Sequence, residues 1–216
     1  MQFRDRREAG AALAGQLRIQ QEKGILPDPI VLALPRGGVV VADEVARELD
    51  APLDVLLVRK IGAPSQPELA VGAIAGDDPP LFDERTLAHL GLTEAAVADI
   101  VDRERRELRR RENVYRDGRP AHDVTGRTVI VVDDGLATGA TAHAALRSLR
   151  ARKPGRVILA VPVASPEAVD LVSADADEVV CLYQPSAFMA VGLWYRDFDQ
   201  VTDDEVLEVL RRAQSD

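Results

Sequence analysis

Apolar residues in this chain recur in two forms, short unbroken runs and longer stretches spaced at three and four residues. The first form suits strands buried on both faces, the second amphipathic helices. Residues 5 to 22 have the helical spacing, with Ala12, Leu13, Leu17 and Ile19 facing inward and Gly24 as a stop signal. Ile30-Val31-Leu32-Ala33-Leu34 is a buried-strand run that ends in the turn Pro35-Arg36-Gly37-Gly38. Val39 to Leu49 is helical again, and Leu53 to Val58 is a second run, ending at Arg59-Lys60. Strand, glycine turn, helix and strand make a βαβ unit with a right-handed crossover.

The pattern changes after Ile61. Gly62 to Pro67 reads as a loop, Leu69 to Ala75 as a strand, and Gly76 to Pro80 as a turn. A long charged helix is predicted from its cap, Thr93, to Tyr115. Val97, Ile100, Val101, Leu108 and Tyr115 form a thin apolar stripe along it. That stripe can pack on the chain's own core or on a second copy, giving a homodimer. Alternation then resumes, with strands at Thr128 to Val132, Val157 to Val161 and Glu178 to Leu182. Helices are predicted at Ala140 to Arg150, Pro166 to Val172 and Asp203 to Arg212, the last preceded by an aromatic segment, Phe188 to Phe198. The expected fold class is α/β: one domain over residues 1–216, with a central, mostly parallel sheet flanked by helices and a long inserted helix.

Composition narrows the function classes. Hydrophobic residues make up 46% and aromatics 4%, an apolar content of mostly Val, Ala and Leu that suits such a sheet. A net charge of −9 argues against coating nucleic acid or an anionic membrane, while leaving room for a local phosphate pocket. The arginines from Arg103 to Arg119 interleave with glutamates, as in a solvated helix laced with ion pairs. The lone cysteine, Cys181, sits in an apolar run and reads as a small buried hydrophobe. His89, His122 and His143 have no metal spacing, and His143 reads as a surface residue. A charged N-terminus and the lack of a spanning apolar segment suggest a soluble, cytoplasmic protein.

The segment from Val129 to Thr141 carries the chemistry. An apolar strand delivers two adjacent carboxylates, Asp133 and Asp134, and Gly135-Leu136-Ala137-Thr138-Gly139-Ala140-Thr141 then opens a helix. A helix N-terminus offers unpaired N–H groups and partial positive charge to a phosphate. Thr138 and Thr141 add hydroxyls, and the acids suit vicinal hydroxyls, a metal or a developing cation. Ribose 5-phosphate satisfies both halves. Neither a P-loop lysine nor a three-glycine dinucleotide fingerprint is present.

Val131 to Thr141 resembles the phosphoribosyl pyrophosphate (PRPP) signature of type I phosphoribosyltransferases. The resemblance implies that Asp133 and Asp134 are catalytic, holding the ribose hydroxyls and contacting Mg2+. It implies that Ala137, Thr138, Gly139, Ala140 and Thr141 cradle the 5′-phosphate. Arg36 and Gly37 would meet the pyrophosphate, helped by Arg59 and Lys60 at the end of the second strand, and Arg36-Gly37 is the candidate for the family's cis non-proline peptide. Ile61 to Pro67 and the strand near Ala70 would form a mobile flap. A core of residues 30–182 would carry a hood at 183–216, with contributions from the N-terminus. There Trp194 or Tyr195 would stack on a nucleobase and Asp197 would face magnesium, or the aromatics would cap the core. Ala137 stands where hypoxanthine-guanine and xanthine-type relatives carry an acid. The implied function is Mg-dependent transfer of a phosphoribosyl group to a nucleobase or similar nitrogen nucleophile; the alternative is a PRPP-binding regulatory protein without turnover.

Overall fold

The computed structural model describes residues 2–76, 79–116 and 118–213, so Asp77 and Asp78 of the expected 76–80 turn lie outside the described residues. The chain opens with α1 (Arg6–Glu22), β1 (Pro29–Ala33), α2 (Gly37–Leu49) and β2 (Leu53–Val55). An excursion follows: β3 (Val58–Ala63), β4 (Gln66–Ala75), β5 (Leu81–Phe82), α3 (Glu84–His89), a 3₁₀ turn (Glu94–Val97) and α4 (Ala98–Arg116). The α/β alternation resumes with β6 (Thr128–Val132), α5 (Ala140–Ala151), β7 (Arg156–Val163), α6 (Pro166–Val172) and β8 (Glu178–Tyr183). A second 3₁₀ turn (Val191–Trp194) and α7 (Asp203–Arg212) complete the described elements.

Five parallel strands in the order β2-β1-β6-β7-β8 form the central sheet. The unbroken apolar runs become its inner strands because both faces are covered. Val31, Ala33, Ile130, Val132, Ile158 and Ala160 pack toward α1 and α2, whereas Ile30, Leu32, Val129, Val131, Val157 and Leu159 pack toward α5 and α6. Each such Val, Leu or Ile side chain, taken out of water, contributes roughly 1.5–3 kcal/mol, and each Ala less. After β2 the chain crosses to the other side of β1 to make β6. The loops leaving β1 and β6 therefore diverge at a topological switch point, where open α/β sheets bind ligands.

The excursion differs from the sequence expectation. The second strand stops at Val55. Leu56 and Leu57 are both buried but belong to different core clusters, so the apolar run continues through a bend. Arg59 and Lys60 accordingly lie inside β3, in a separate antiparallel sheet β3-β4-β5, not at the end of a parallel strand. Most of the expected 62–67 loop is strand, turned at Pro64-Ser65. Gly62 permits the bulged hairpin, since a Cβ there would lie 2.3 Å from the Pro67 carbonyl oxygen. Thr93 caps the 3₁₀ turn, accepting from the Ala96 N–H. The α4 stripe packs within the chain, where Val97, Val101, Leu108 and Tyr115 are buried among elements that include β3, β4 and α7. Cys181 lies half-buried on the edge strand β8, and its burial pushes the thiol up. His143 is half-buried, with Nδ1 2.7 Å from Asp175.

Candidate active site

The sheet brings the Pro35–Gly38 loop and the Asp133–Thr141 loop into contact because β1 and β6 are neighbours in register. Leu34 N–H donates to the Val132 carbonyl at 2.8 Å, carrying the pairing up to the turn. Glycine is required on the β1 side. A Cβ at Gly38 would lie 2.7 Å from the Val132 carbonyl oxygen, and one at Gly37 would lie 1.9 Å from the Asp134 carboxylate. The cis peptide joins Pro35 to Arg36, one bond before the expected Arg36-Gly37, and Gly37 already begins α2.

Asp133 and Asp134 stand at the end of β6, both half-buried. The Asp134 N–H donates to Asp133 Oδ1 at 2.9 Å. Burial pushes the Asp133 carboxyl well up, and the neighbouring Asp134 charge adds to it. Burial also raises Asp134, opposed by a hydrogen bond and the charge of Arg6. Arg6 Nε donates to Asp134 Oδ2 at 2.8 Å.

Past the acids, the loop is anchored from below. Leu136 N–H donates to the Val163 carbonyl, Ser165 N–H to the Leu136 carbonyl, and Ser165 Oγ to the Ala137 carbonyl. Gly139 adopts φ 72°, which few side chains tolerate, and its empty Cβ position faces Ala168 of α6 at 3.2 Å. Ala137, Thr138 and Thr141 are exposed around the N-terminus of α5. Thr138 Oγ1 accepts from the Ala140 N–H at 3.4 Å. A helix N-terminus with hydroxyls beside it is a geometry that can take an anion.

A cavity of about 450 Å³ opens beside this N-terminus, lined by Pro35, Arg59, Lys60, Thr141, Arg103, Glu104 and others. It joins three of the sequence-predicted groups: the β1 turn, the two cations and the signature helix. Arg59 does not face it unpaired: Nε and a terminal nitrogen reach Glu104 Oε2 at 2.8 and 2.6 Å. Glu104 is an acid buried within the charged face of α4, and its spacing gave no sign of that. Arg36 lies apart, 3.8 Å from Asp203. Asp203 also accepts from the Tyr115 hydroxyl; burial, then this bond, pushes the Tyr115 phenol up to about 12.

The tail expected as a hood is tied to the N-terminus. Phe3 N–H donates to the Trp194 carbonyl, Arg196 N–H to the Phe3 carbonyl, and Asp197 N–H to the Arg4 carbonyl. Tyr195 is 4% exposed, stacks on Phe198 at 4.9 Å, and donates its hydroxyl to the Asp134 carbonyl at 2.6 Å. As placed, its ring caps the core and has no open face for a base, while Trp194 stays half-buried. Val191 presses on the signature, with Cγ1 2.7 Å from a Cβ built on Gly135. Asp197 is exposed and lines a different cavity, of about 310 Å³, with Arg6 and Asp199. Arg6 and Tyr195 both grip Asp134. Sequence reading missed Arg6 altogether, since its partner is 128 residues away.

Among the described residues no group of three or more His, Cys, Asp or Glu converges as a metal site, and no helix is long and apolar enough to cross a membrane. Two adjacent carboxylates suit an oxygen-seeking ion that arrives with a phosphate ligand and keeps its waters.

Comparisons with known proteins agree with this geometry. Proteins from two strains of Mycobacterium tuberculosis, each named "Putative phosphoribosyl transferase", are 48% identical over 215 residues. The match takes in 99% of this chain and 47% of theirs, so the chain spans about half the length of these curated relatives. A crystal structure of a Thermus thermophilus protein superposes with a TM-score of 0.89 at 48% identity, covering 98% of this chain and 99% of that one. The family model described as phosphoribosyl transferase domain matches residues 6–195, and the chain belongs to that family.

Proposed function

We propose that this chain transfers a phosphoribosyl group from PRPP to a nucleobase or similar nitrogen nucleophile in a Mg2+-dependent reaction that releases pyrophosphate. One observation carries the reading: the Asp133-Asp134 pair and the α5 N-terminus adjoin at the switch point, with Gly37 closed against Asp134. An acid pair followed along the same loop by a helix N-terminus suits a ribose diol and its 5′-phosphate. The exposed N-terminus of α5, with Thr138 and Thr141, would take the phosphate, and the acids the ribose hydroxyls.

In the reaction the bond from the anomeric carbon to pyrophosphate breaks and its electron pair leaves with pyrophosphate. The lone pair of the incoming nitrogen forms the new bond, and the nitrogen's proton is lost to solvent or a neighbouring group. Positive charge builds on the ribose ring between these events, and two carboxylates fixed beside it stabilise that charge by position. Bound Mg2+ would neutralise the pyrophosphate, held by Asp133 and Asp134 together with ligand oxygens. Arg36, Gly37, Lys60 and Arg59 are the candidates for the leaving group, Arg59 after releasing Glu104. Trp194, half-buried in the tail, is the remaining candidate to stack on a base, and Asp197 is a weaker metal candidate because it lines another cavity.

Incubation with Mg-PRPP and a panel of purine and pyrimidine bases, reading pyrophosphate release, tests the reading. Base-dependent release with at least one acceptor is the expected result. Binding of PRPP with no release across the panel would overturn transferase activity and leave a PRPP-binding regulator.

A further inference from the structure

We infer that Arg6 is a positioning residue for Asp134, fixing that carboxylate in the orientation in which it accepts a ribose hydroxyl of PRPP. The inference rests on the phosphoribosyl-transfer reading of the same site.

Asp134 is held by groups from both ends of the chain. Its carboxylate takes the Arg6 Nε–H at 2.8 Å, and its carbonyl takes the Tyr195 hydroxyl at 2.6 Å. The side chains of Arg6 and Asp134 are 11% and 14% exposed, so little solvent screens the pair. Arg6 is itself fixed in plane. Its guanidinium carbon lies 3.9 Å from the centroid of the Phe198 ring, and Nη1 donates to the Asp199 carbonyl at 2.8 Å. Phe198 in turn stacks on Tyr195, so one aromatic layer supports both grips on Asp134. The pair lies against the β1 turn, since a Cβ at Gly37 would come within 3.1 Å of Arg6 Nε.

This arrangement does more than tether α1. A carboxylate accepts at two oxygens and about four lone-pair sites, so a guanidinium on Oδ2 leaves acceptor capacity for an incoming hydroxyl. Without that anchor the Asp134 side chain would be free to rotate, and ligand binding would have to fix it. Arginine suits the role where lysine would not, because its flat fork donates to two partners while lying on a ring.

Calorimetric titration of Mg-PRPP into wild type, Arg6→Ala, Asp134→Asn and the double variant tests it. Removing a charged hydrogen-bond partner is expected to weaken PRPP about tenfold in Arg6→Ala. Adding Arg6→Ala to Asp134→Asn should cost nothing further, and Arg6→Lys should recover part of the loss. Pyrophosphate titrated without magnesium, which has no ribose hydroxyls and needs no metal held by Asp134, should bind Arg6→Ala as it binds wild type. Independent losses that multiply in the double variant, or an equal loss of pyrophosphate binding, would make Arg6 a general support and overturn the inference. Should Arg6→Ala fail to fold, Arg6→Lys read with both ligands decides on the same criterion. Wild type that fails to bind PRPP would instead remove the underlying functional reading.

Discussion

Replacing Tyr195 with Phe separates a structural role for this ring from a base-stacking one. The substitution keeps the ring, its 4.9 Å stack on Phe198 and its contact with Phe3, and deletes only the hydroxyl that donates to the Asp134 carbonyl. Burial first, and then the nearby Asp134 charge, push the Tyr195 phenol up, so it stays a protonated donor throughout the working range. Tyr195 is 4% exposed, and the carbonyl it serves belongs to a half-buried residue. Leaving such an acceptor unpaired costs about 1–2 kcal/mol, within the usual range for a buried group that loses its partner. For a chain of this size each kcal/mol lowers Tm by about 2–4 °C, which predicts a fall of about 2–8 °C. Thermal unfolding followed by far-ultraviolet circular dichroism measures it. A Tyr195→Phe variant with unchanged Tm would refute the claim that this hydroxyl anchors the acid loop, and would return the ring to the list of stacking candidates.

Three further outcomes follow from the same geometry. Gly37→Ala places a Cβ 1.9 Å from the Asp134 carboxylate, so PRPP affinity should drop at least tenfold while far-ultraviolet dichroism stays native, as titration would reveal. Burial holds the Asp133 carboxyl above its ordinary value of 3.8, so the native state keeps a proton the unfolded chain has lost, and stability falls as pH rises through that window. Asp133→Asn should therefore melt higher than wild type near neutral pH, with the difference shrinking as pH falls toward 3.8; a gap independent of pH would contradict the burial account. Arg59→Ala leaves Glu104, whose side chain is 12% exposed, with Oε2 deprived of Arg59 but Oε1 still paired to Arg103 at 3.2 Å, and should cost about 1–2 kcal/mol in denaturant unfolding, below the fully buried case because Arg59 is partly exposed. The Arg59→Met/Glu104→Met pair should recover most of that stability.

The sheet and the acid loop were legible because their signals are local. An unbroken apolar run such as Val129 to Val132 can be satisfied only where both faces are covered, and the Asp-Asp and glycine-threonine turn follows it directly in the chain. Cap chemistry was equally local, as with Thr93. The run from Leu53 to Val58 misled because hydrophobicity reports burial, not direction: Leu56 and Leu57 stay buried while the chain leaves the sheet. That bend moved Arg59 and Lys60 into an antiparallel hairpin. Arg6 and Glu104 were invisible for a different reason. Each is a charged residue among other charged residues on a helix, and only a partner brought in by the fold distinguishes it. Tyr195 belonged to an aromatic cluster whose two readings, core cap and base platform, share one composition, and the distinction came from the Phe3 and Phe198 contacts.

The central claim is that the Asp133–Thr141 loop binds PRPP, and calorimetric titration of Mg-PRPP into wild type and an Asp133→Ala/Asp134→Ala variant tests it most directly. The account predicts saturable binding by wild type that the variant loses. No wild-type binding at millimolar PRPP, or equal binding by both proteins, would contradict it.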